Sequence, residues 1–488
     1  MDKILNKIKK LIPLRLFKAL QPIYHFTLSW LAAFLYRWPS EKLIVVGVTG
    51  TTGKTTSVYL IAKTLEEAGY KTGFTSTAMF NDGEKEWLND KKMTMGGRFF
   101  TQRMLARMVK NKCRYGVVET TSEGIRQFRH RFVNYDILVF TGLYPEHIES
   151  HGGFENYKAA KGKLFTRLKK CKIKYVDEKK FVHRGASGLK KTDLNKVKKT
   201  IIANLDDEHA NYFFSFWSEA KIAYRATRIA QRVSPVSNID KIVEYGKIKV
   251  SEEGTSFEIA PLIKEDGRIF INLQLLGAFN AANAMNAVCV GLSQGLPMEK
   301  IKKGLESIEG VAGRMEKIDA SASFDNAQDR TLSTGEQPFT VIVDYAFEPN
   351  AVAKLYETIK IIPHKRIIHV LGSTGGGRDV GRRPILGKLA GENADVVIVT
   401  NEDPYDDDPQ IIIDQVAVGA EHVGKKLDEN LFKILDRREA IIQALFLAEQ
   451  NDIVLITGKG SEQFICMANG EKIPWDDRGV VRGILSAH

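Results

Sequence analysis

Cysteine is scarce in this chain, and its four thiols lie far apart. Cys113, Cys171, Cys289 and Cys466 stand among 488 residues, and none of them forms the C-x-x-C spacing of a zinc or redox site. This argues against a disulfide framework and predicts reduced thiols in a cytoplasmic protein. Long apolar runs are also missing, since no stretch reaches the roughly 20 residues that a membrane-spanning helix needs. No internal repeat at solenoid period is present either.

Positive charge is concentrated at the start of the chain. The first 42 residues hold eight Lys or Arg against two acidic residues, which gives +6 of the +12 formal charge. An aromatic-rich stretch, 23–38, follows the basic residues. Two interpretations stay open: an arm whose apolar face packs on the first domain, or an interfacial helix that docks on anionic lipid. No nucleic-acid motif accompanies the charge, so no nucleic-acid partner is expected.

A glycine-rich loop between a strand and a helix is the most informative segment. The apolar run 43–46 predicts a buried strand, and the apolar spacing of 55–65 predicts a helix. The loop between them closes on Gly53, Lys54 and Thr55. At such a junction the backbone N–H groups and the helix dipole hold phosphate oxygens, Lys54 reaches the terminal phosphates, and Thr55 can ligate Mg²⁺. The segment therefore predicts ATP or GTP binding.

Strands and helices alternate along the chain in two series. Buried strands are predicted at 115–118, 137–140 and 201–204, and then at 341–343, 367–371, 396–399 and 453–456. Such alternation is typical of α/β folds with parallel sheets. The expected architecture is a short helical arm at 1–42, a central P-loop ATPase domain with a parallel sheet at 43–310, and a C-terminal Rossmann-like domain at 311–488. The polar segment 320–338 predicts a disordered loop.

Carboxylates and imidazoles follow two of the predicted strands. Glu119 begins the polar segment after one strand, and His147 lies in the segment after the next. In doubly wound sheets, ligands collect at the carboxyl ends of strands. Carboxylates and imidazoles beside a phosphate loop suit a Mg²⁺ site for phosphoryl transfer. By composition alone, Lys161 is simply a helix lysine.

Ten segments, in this order, resemble the motifs of the Mur ligase family, and in particular of its tripeptide synthetases of the MurE type. The segments are Gly47–Thr56, Glu119–Glu123, Glu146–Gly152, Ala160–Phe165, Gly277–Asn283, Gly313–Glu316, Val343–Pro349, Gly375–Pro384, Thr400–Tyr405 and Gly458–Glu462. The resemblance covers about residues 43 to 482. The domain with which the MurE type usually grips its uridine nucleotide is not matched, because only the basic arm precedes the loop.

The resemblance implies a nucleotide and metal site. The implied ATP contacts are Gly50, Thr51, Gly53, Lys54, Thr55, Thr56, Asn283, Arg314 and Asp344. The implied Mg²⁺ ligands are Thr55, Glu119, His147 and Lys161, and Lys161 qualifies only if it is carbamylated, because an ammonium cannot ligate a cation. Catalytic roles are implied for Lys54, Lys161, His147 and Glu119. A plain, unmodified Lys161 remains the alternative.

The resemblance also implies the reaction and the substrate contacts. The implied substrate contacts are Thr121, Ser122, Arg129, Arg378, Asp403 and Glu462, of which the last three would line the pocket of the incoming amino acid. The implied enzyme is an ATP-dependent ligase of peptidoglycan precursor synthesis. The acceptor carboxylate attacks the γ-phosphorus of ATP to form an acyl phosphate, and the amine then displaces phosphate. Metals and cationic groups stabilise the charge on oxygen in both steps.

Departures from the family pattern leave the substrates open. Tyr405 stands where diaminopimelate-adding members carry Arg, and that change is not conservative. It favours another amino acid, such as lysine, over meso-diaminopimelate. The acceptor is either uridine-linked or lipid-linked. Alternatives are a folylpolyglutamate- or cyanophycin-type ligase and a membrane-docked P-loop ATPase switch. A cytoplasmic monomer is expected, with a peripheral position on the inner face of the membrane as an open option.

Overall fold

The computed structural model describes residues 14–145, 151–177, 179, 181–185, 194–227, 238–261, 267–319, 339–377 and 380–486. The chain divides into two units. The first comprises Met1–Trp87, Met93–Tyr245 and Asn283–Gly304, and the second comprises Leu88–Lys92, Gly246–Ala282 and Leu305–His488. The domain boundaries expected after residues 42 and 310 stay predictions. The polar segment 320–338 lies outside the described residues.

The first unit alternates strands with helices. Its helices are α1 (Leu14–Leu35), α2 (Lys54–Glu67), α3 (Arg98–Lys110), α4 (Ser122–Arg126), α5 (Phe154–Leu168) and α6 (Ala210–Phe214). Its strands are β1 (Ile44–Thr49), β2 (Thr72–Thr75), β3 (Met79–Asn81), β5 (Tyr115–Glu119), β6 (Ile137–Phe140), β7 (Lys174–Val176), β8 (Val182–Arg184), β9 (Asn195–Val197), β10 (Thr200–Asn204) and β11 (Ala220–Ala226). Four elements have residues in both units: β4 (Glu86–Leu88), β12 (Lys241–Ser251), α7 (Phe279–Ser293) and α8 (Met298–Glu306).

The main sheet of the first unit is parallel at its centre. Its strand order includes β11-β10-β6-β1-β5-β2-β3, and every pair from β11 to β2 is parallel. Parallel neighbours need crossover connections, which the helices between the strands supply. Strand β1 lies in the middle, and all six of its residues are buried. The loop that follows β1 is therefore flanked by the carboxyl ends of β5 and β6.

An apolar core forms where helices cover this sheet. It includes Val45, Leu138 and Phe140 from the strands and Leu164 and Phe213 from the helices. The rings of Phe140 and Phe213 stack with their centroids 3.9 Å apart. Full burial of one such side chain stabilises the fold by about 1.5–3 kcal/mol. The core holds the strands in the register that sets the loops at their ends.

A buried ion cluster ties the first unit together at the start of β6. The carboxylate of Asp136 is fully buried and accepts hydrogen bonds from the ammonium groups of Lys174 and Lys199 and from the backbone N–H of Val45. Burial lowers the pKa of Lys174 to about 8, although Asp136 opposes that shift. Removing one partner of a buried ion pair typically costs about 3–5 kcal/mol. We therefore regard this cluster as structural.

The second unit is a Rossmann-like domain with further small elements. Its helices are α9 (Pro349–Ile359), α10 (Arg382–Asn393), α11 (Pro409–Glu421), α12 (Arg437–Leu447) and α13 (Asp477–Leu485). Its strands are β13 (Gly254–Ile259), β14 (Ile269–Leu273), β15 (Glu316–Asp319), β16 (Phe339–Val343), β17 (Ile367–Leu371), β18 (Val396–Thr400), β19 (Leu431–Ile434), β20 (Asp452–Ile456), β21 (Phe464–Cys466) and β22 (Lys472–Pro474).

The six-stranded sheet of the second unit has the order β15-β16-β20-β17-β18-β19 and is parallel except for β15. Alternate residues of one strand face different cores: Leu371 packs with α9, α10 and α11, and Val370 packs with α12 and α13. Helices on both faces of a parallel sheet define a doubly wound α/β layer. The α/β prediction is confirmed for both units.

Helix α1 has one packed face and one exposed face. Ser29 donates to the carbonyl oxygen of Phe128 at 2.9 Å, and the ring of Phe26 lies 5.3 Å from that of Phe132. The opposite face leaves a row of large apolar side chains exposed: Leu20, Ile23, Tyr24, Trp30, Leu31, Phe34 and Leu35. The packed face agrees with an arm that packs on the first domain, and the exposed apolar face leaves docking on anionic lipid open. Among the described residues, we find no helix with the length and hydropathy to span a bilayer.

Candidate functional site

The glycine-rich loop joins the carboxyl end of β1 to the N-terminus of α2, as the sequence predicts. Gly53 precedes the helix with a φ of 75°, in the left-handed region that favours glycine. A Cβ at this position would lie 2.3 Å from Oδ1 of Asn283. The close approach of Asn283 and the backbone angle both require glycine here. Asn283 was expected near the nucleotide, and the structure places it against the loop.

The start of α2 offers positive charge to an anion. The first N–H groups of a helix have no partner within the helix, and the dipole adds positive potential there. The N-cap residue, Gly53, has no side chain with which to cap this end of α2. The ammonium of Lys54 donates to the carbonyl oxygen of Thr51 at 2.5 Å, so it lies beside the loop. This arrangement fits the phosphates of a nucleotide.

Glu119 lies next to the loop because β5 pairs with β1, with Val48 opposite Glu119 in the register. Its carboxylate accepts a hydrogen bond from the hydroxyl of Thr55 at 2.9 Å. It also accepts bonds from the backbone N–H of Thr77 at 2.8 Å and from the Thr77 hydroxyl at 2.9 Å. Hydroxyl and carboxylate oxygens are the ligands that Mg²⁺ prefers. Thr55 and Glu119 therefore fit a Mg²⁺ site at the mouth of the loop.

Lys161 reaches the same loop from α5. Its side chain is buried, and its ammonium donates to the carbonyl oxygen of Gly50 at 2.7 Å. The ammonium also lies 4.5 Å from the ring centroid of Tyr157. As an ammonium, Lys161 supplies positive charge beside the loop and cannot ligate a metal. A carbamate on the same nitrogen would change it into an oxygen ligand.

The predicted acceptor contacts of the first unit lie around α4. Thr121 caps this helix, since its hydroxyl accepts from the N–H of Gly124 at 3.1 Å. The hydroxyl of Ser122 pairs with Nε2 of His151 at 3.1 Å. Burial lowers the pKa of His151. Arg129 donates to Gln127 at 2.6 Å and to the carbonyl oxygen of Met95, which holds its guanidinium in place.

Two of the predicted site residues, His147 and Arg378, lie outside the described residues. Within the described ranges, no group of three or more His, Cys, Asp or Glu side chains could hold a metal ion by itself. A Mg²⁺ site built from Thr55 and Glu119 would therefore need ligands of other kinds, such as phosphate oxygens. The assignment of His147 as a ligand stays a prediction.

Arg314 and Asp344 lie near each other in the second unit. The guanidinium of Arg314 lies 4.4 Å from the ring centroid of Tyr345. The carboxylate of Asp344 accepts from the N–H of Met315 at 2.7 Å and of Ala346 at 2.6 Å. Burial raises the pKa of Asp344, and Arg314 opposes that shift. Their predicted nucleotide contacts stay predictions, but the pair is held together in one region of this unit.

Asp403 and Glu462 form a carboxylate pair in the second unit. The ammonium of Lys459 bridges them, donating to Asp403 at 2.9 Å and to Glu462 at 2.8 Å. A second ammonium, that of Lys92, also donates to both carboxylates. Burial opposes ionisation of Asp403, but Lys459 and Lys92 hold its pKa below the usual range. The hydroxyl of Tyr345 donates to Glu462 at 3.2 Å.

Three residues at these sites were not predicted from the sequence. Thr77 holds Glu119, yet it follows a short strand with no motif around it. Lys92 lies in a polar loop beside another lysine, and nothing local points to a distant carboxylate. Lys459 did carry a signal, because it lies within the Gly458–Glu462 segment that resembles the family motif. Its role could have been inferred from its position three residues before Glu462.

Family models match most of the chain. The model described as the Mur ligase middle domain matches residues 48–197 and 190–291. The model described as the Mur ligase, glutamate ligase domain matches residues 313–460. The two matches together cover well over half of the 488 residues.

Curated relatives and a solved structure are similar over nearly the same length. The UDP-N-acetylmuramyl-tripeptide synthetase of Roseiflexus sp. (strain RS-1) is 34% identical over 468 residues, which cover 95% of this chain and 83% of the relative. The UDP-N-acetylmuramoyl-L-alanyl-D-glutamate--2,6-diaminopimelate ligase of Syntrophomonas wolfei subsp. wolfei is 32% identical and covers 94% of this chain and 81% of its own length. A solved structure of a ligase with the same description has a TM-score of 0.54 at 25% identity, covering 91% of this chain and 78% of that chain.

Proposed function

Since the chain belongs to the Mur ligase family, we propose that it joins an amino acid to the carboxylate of a muramoyl peptide in peptidoglycan precursor synthesis. As a member of the family it is an ATP-dependent, ADP-forming ligase that makes a carbon–nitrogen bond. One observation carries the proposal: the phosphate loop has Thr55 and Glu119 hydrogen bonded at its mouth at 2.9 Å. This arrangement suits the transfer of a phosphoryl group from a bound nucleotide.

The residues of the first unit suit the activation step. The N-terminus of α2 and Lys54 stabilise the negative charge of the phosphates. Bound Mg²⁺ would neutralise charge on the phosphate oxygens, and Thr55, Glu119 and His147 would hold it. The acceptor carboxylate attacks the γ-phosphorus, ADP leaves, and an acyl phosphate forms. The amine of the amino acid then attacks the acyl carbon, phosphate leaves, and the amine loses a proton to give the amide.

Lys161 would serve as a metal ligand after carbamylation. Its burial against Gly50 supports this proposal, because the nitrogen lies beside the loop that holds the phosphates. Lys161→Ala is then expected to abolish turnover while ATP still binds, and short-chain carboxylates are expected to restore part of the rate. Lys163→Ala on the exposed side of α5 serves as the control. Undiminished turnover in Lys161→Ala would overturn the role.

The amino acid is proposed to be lysine or another residue without a distal carboxylate. Tyr405 supports this proposal, because it brings no cation to the place where diaminopimelate-adding relatives carry Arg. The test measures ADP release with each amino acid in turn and uridine-linked muramoyl dipeptide as acceptor. Faster turnover with lysine than with meso-diaminopimelate is expected, and the reverse order would contradict the proposal. A lipid-linked acceptor is tested in the same assay if the uridine-linked one is inert.

Two other functions would give different results in that assay. A membrane-docked ATPase switch would release ADP without either an amino acid or an acceptor. A folylpolyglutamate-type ligase would need glutamate and a pteroyl acceptor. The carboxylate pair of Asp403 and Glu462 favours the muropeptide ligase over the switch, because a switch needs no site for an amine. ADP release that depends on both muramoyl acceptor and amino acid is the expected outcome.

The exposed face of α1 is proposed to dock on an anionic membrane surface. Aromatic and aliphatic side chains along one face of a helix insert at the headgroup boundary, and nearby basic residues are attracted to anionic lipid. Trp30 and Phe34 lie on this face, and their rings stack with the centroids 5.4 Å apart. The basic residues that precede Leu20 in the sequence add the charge. The enzyme would then be cytoplasmic and peripheral to the inner face.

Vesicle sedimentation tests this docking with the full chain. Wild type is expected to sediment with vesicles of phosphatidylglycerol and phosphatidylcholine, less so at high salt, and less with phosphatidylcholine alone. The double variant Trp30→Glu/Phe34→Glu should stay in the supernatant. Trp217→Glu is the matched control, because Trp217 is 44% exposed, as is Trp30. Equal sedimentation of wild type and double variant would contradict the proposal.

A further inference from the structure

Lys92 places an ammonium group among the carboxylates proposed to receive the amino acid. It belongs to the segment Leu88–Lys92 of the second unit. Its Nζ donates to Asp403 at 2.6 Å, to Glu462, and to the carbonyl oxygen of Phe464 at 3.2 Å. These three acceptors use the whole donor capacity of an ammonium. Lys92 is therefore bound in the way that a free amine would be.

Lys459 makes the same three contacts. Its Nζ donates to Asp403 at 2.9 Å, to Glu462 at 2.8 Å and to the carbonyl oxygen of Phe464 at 2.6 Å. It comes from the loop that also carries Glu462, and its side chain is fully buried. Lys92, by contrast, stands 311 positions before Asp403 in the sequence and keeps 8% of its side chain exposed. Lys459 is thus the more deeply buried of the two lysines and belongs to the same loop as Glu462, whereas Lys92 comes from a distant segment and lies nearer the surface.

Lys92 supplies one of the two ammonium groups that contact this carboxylate pair. Two ammonium groups face the two carboxylates of Asp403 and Glu462. Burial opposes the charge on Lys92, yet its pKa is raised because the attraction of Glu462 and Asp403 is larger. Without Lys92 the buried carboxylates would lack one positive charge, and an unpaired buried charge is unfavourable. A cationic amine from solution would supply that charge.

The backbone of Lys92 is under strain. Its φ is 54°, in the left-handed region that residues with a Cβ rarely adopt. The neighbouring Lys91 pairs instead with Asp90 at the surface. Strained conformations persist where other contacts outweigh their cost. The ion pairs of Lys92 with Asp403 and Glu462 are contacts of this kind.

We propose that Lys92 is a built-in competitor for the incoming amino acid. Its ammonium occupies the position of a substrate ammonium, and the amino acid binds as the segment Leu88–Lys92 withdraws. This inference rests on the proposed function, because it takes Asp403 and Glu462 as the amino acid's pocket. The apparent dissociation constant of the amino acid then equals its intrinsic value divided by the fraction of molecules in which Lys92 has left the two carboxylates. The pocket thereby favours amino acids that can offer an ammonium to both carboxylates.

Calorimetric binding of L-lysine to the full chain tests the competition. Lys92→Met keeps the length of the side chain and removes its charge, and Lys91→Met is the matched control. Lys92→Met is expected to bind L-lysine at least tenfold more tightly than wild type, and Lys91→Met should equal wild type. Equal or weaker binding by Lys92→Met would overturn the competitor role while leaving the proposed function intact.

Acetylation of lysines followed by mass spectrometry gives a second readout that does not depend on affinity. In the free wild type, Lys92 should react much more slowly than Lys91, and added L-lysine should expose Lys92. If Lys92 reacts as fast as Lys91, the competitor role is overturned whatever the enzyme does. If Lys92 is protected and no amino acid binds to wild type or Lys92→Met, the proposed pocket fails and the competitor role fails with it.

Discussion

Glu119 owes its position to residues from two other segments. Thr55 comes from the start of α2, and Thr77 follows β2, which pairs with the strand that ends in Glu119. The two threonines supply three hydrogen bonds to one buried carboxylate. A metal ligand that is held in this way keeps its orientation without the metal. Thr77 is therefore a positioning residue in the proposed Mg²⁺ site.

Thr77→Val is expected to impair the use of Mg²⁺. The substitution removes the hydroxyl that donates to Glu119 and leaves the backbone donor in place. Loss of such a supporting partner typically costs about 10–100-fold in metal affinity or activity. The Mg²⁺ concentration for half-maximal ADP release should rise by that factor. Thr94→Val removes only a partner of the Thr77 hydroxyl and should have a smaller effect; equal effects would contradict the assignment.

His369 should make the second unit less stable at low pH. It is fully buried between the hydroxyls of Tyr356 and Thr457, and burial lowers its pKa to about 3 from 6.5. Between these values the unfolded chain binds a proton that the folded chain does not, so stability rises with pH in this range. As pH falls below 6.5, this histidine should cost up to about 1.4 kcal/mol of unfolding free energy per pH unit.

Urea unfolding at several pH values measures this effect. His369→Gln is expected to flatten the loss of stability between pH 6.5 and 3 relative to wild type. His422→Gln, at an exposed position, is the control. His130 in the first unit behaves similarly, because burial lowers its pKa to about 3. Part of the acid sensitivity should therefore remain in the variant, and an unchanged slope would contradict the role of His369.

At the scale of elements, the phosphate loop depends on both its strand and its helix. Strand β1 lies in the centre of a parallel sheet, which fixes the point where the loop begins. Helix α2 begins directly after Gly53 and gives the loop its N–H donors. Each element was predicted from periodicity, since a β-branched run and a helical apolar spacing are local signals.

Gly53→Ala tests the geometry of this junction. An alanine would have to adopt a φ of 75°, which costs about 1–2 kcal/mol, and its Cβ would lie 2.3 Å from Asn283. We expect a loss of nucleotide affinity and a lower unfolding temperature. Gly267→Ala is the control, because nothing lies within 4 Å of its Cβ position and its φ lies outside the left-handed region. Normal nucleotide binding by Gly53→Ala would contradict the proposal that this loop binds the phosphates.

Several strands were shorter in the prediction than in the structure, and some were missed. The strand predicted at 43–46 runs from Ile44 to Thr49, because the parallel ladder extends to the threonine. The antiparallel strand β15 was missed, since three of its four residues, Glu316, Lys317 and Asp319, are charged and form no apolar run. Helix α11 was also missed, although Pro409 at its first turn and the capping Asp408 are recognised start signals.

At the scale of the whole molecule, nucleotide binding should raise the free energy of unfolding. A nucleotide that binds only the folded first unit stabilises it by about 2.7 kcal/mol at a hundred times its dissociation constant. For a domain of about 150–250 residues, each kcal/mol of added stability raises the midpoint temperature of thermal unfolding by roughly 2–4 °C. Scanning calorimetry with Mg²⁺ and a non-hydrolysable ATP analogue should show this rise. Gly53→Ala should not respond, and a response equal to wild type would contradict a nucleotide site at this loop.

The sequence by itself determined the α/β class, the phosphate loop and the family, because each follows from signals within a few residues or from motifs in a fixed order. It also supplied Glu119, Asp403 and Glu462 as candidate site residues. Only the tertiary structure decided what surrounds those carboxylates. Thr77 and Lys92 meet their partners through strand pairing and through contacts across hundreds of positions, and no local spacing encodes such contacts. The fold, through its register and burial, makes a loop lysine the partner of two distant acids.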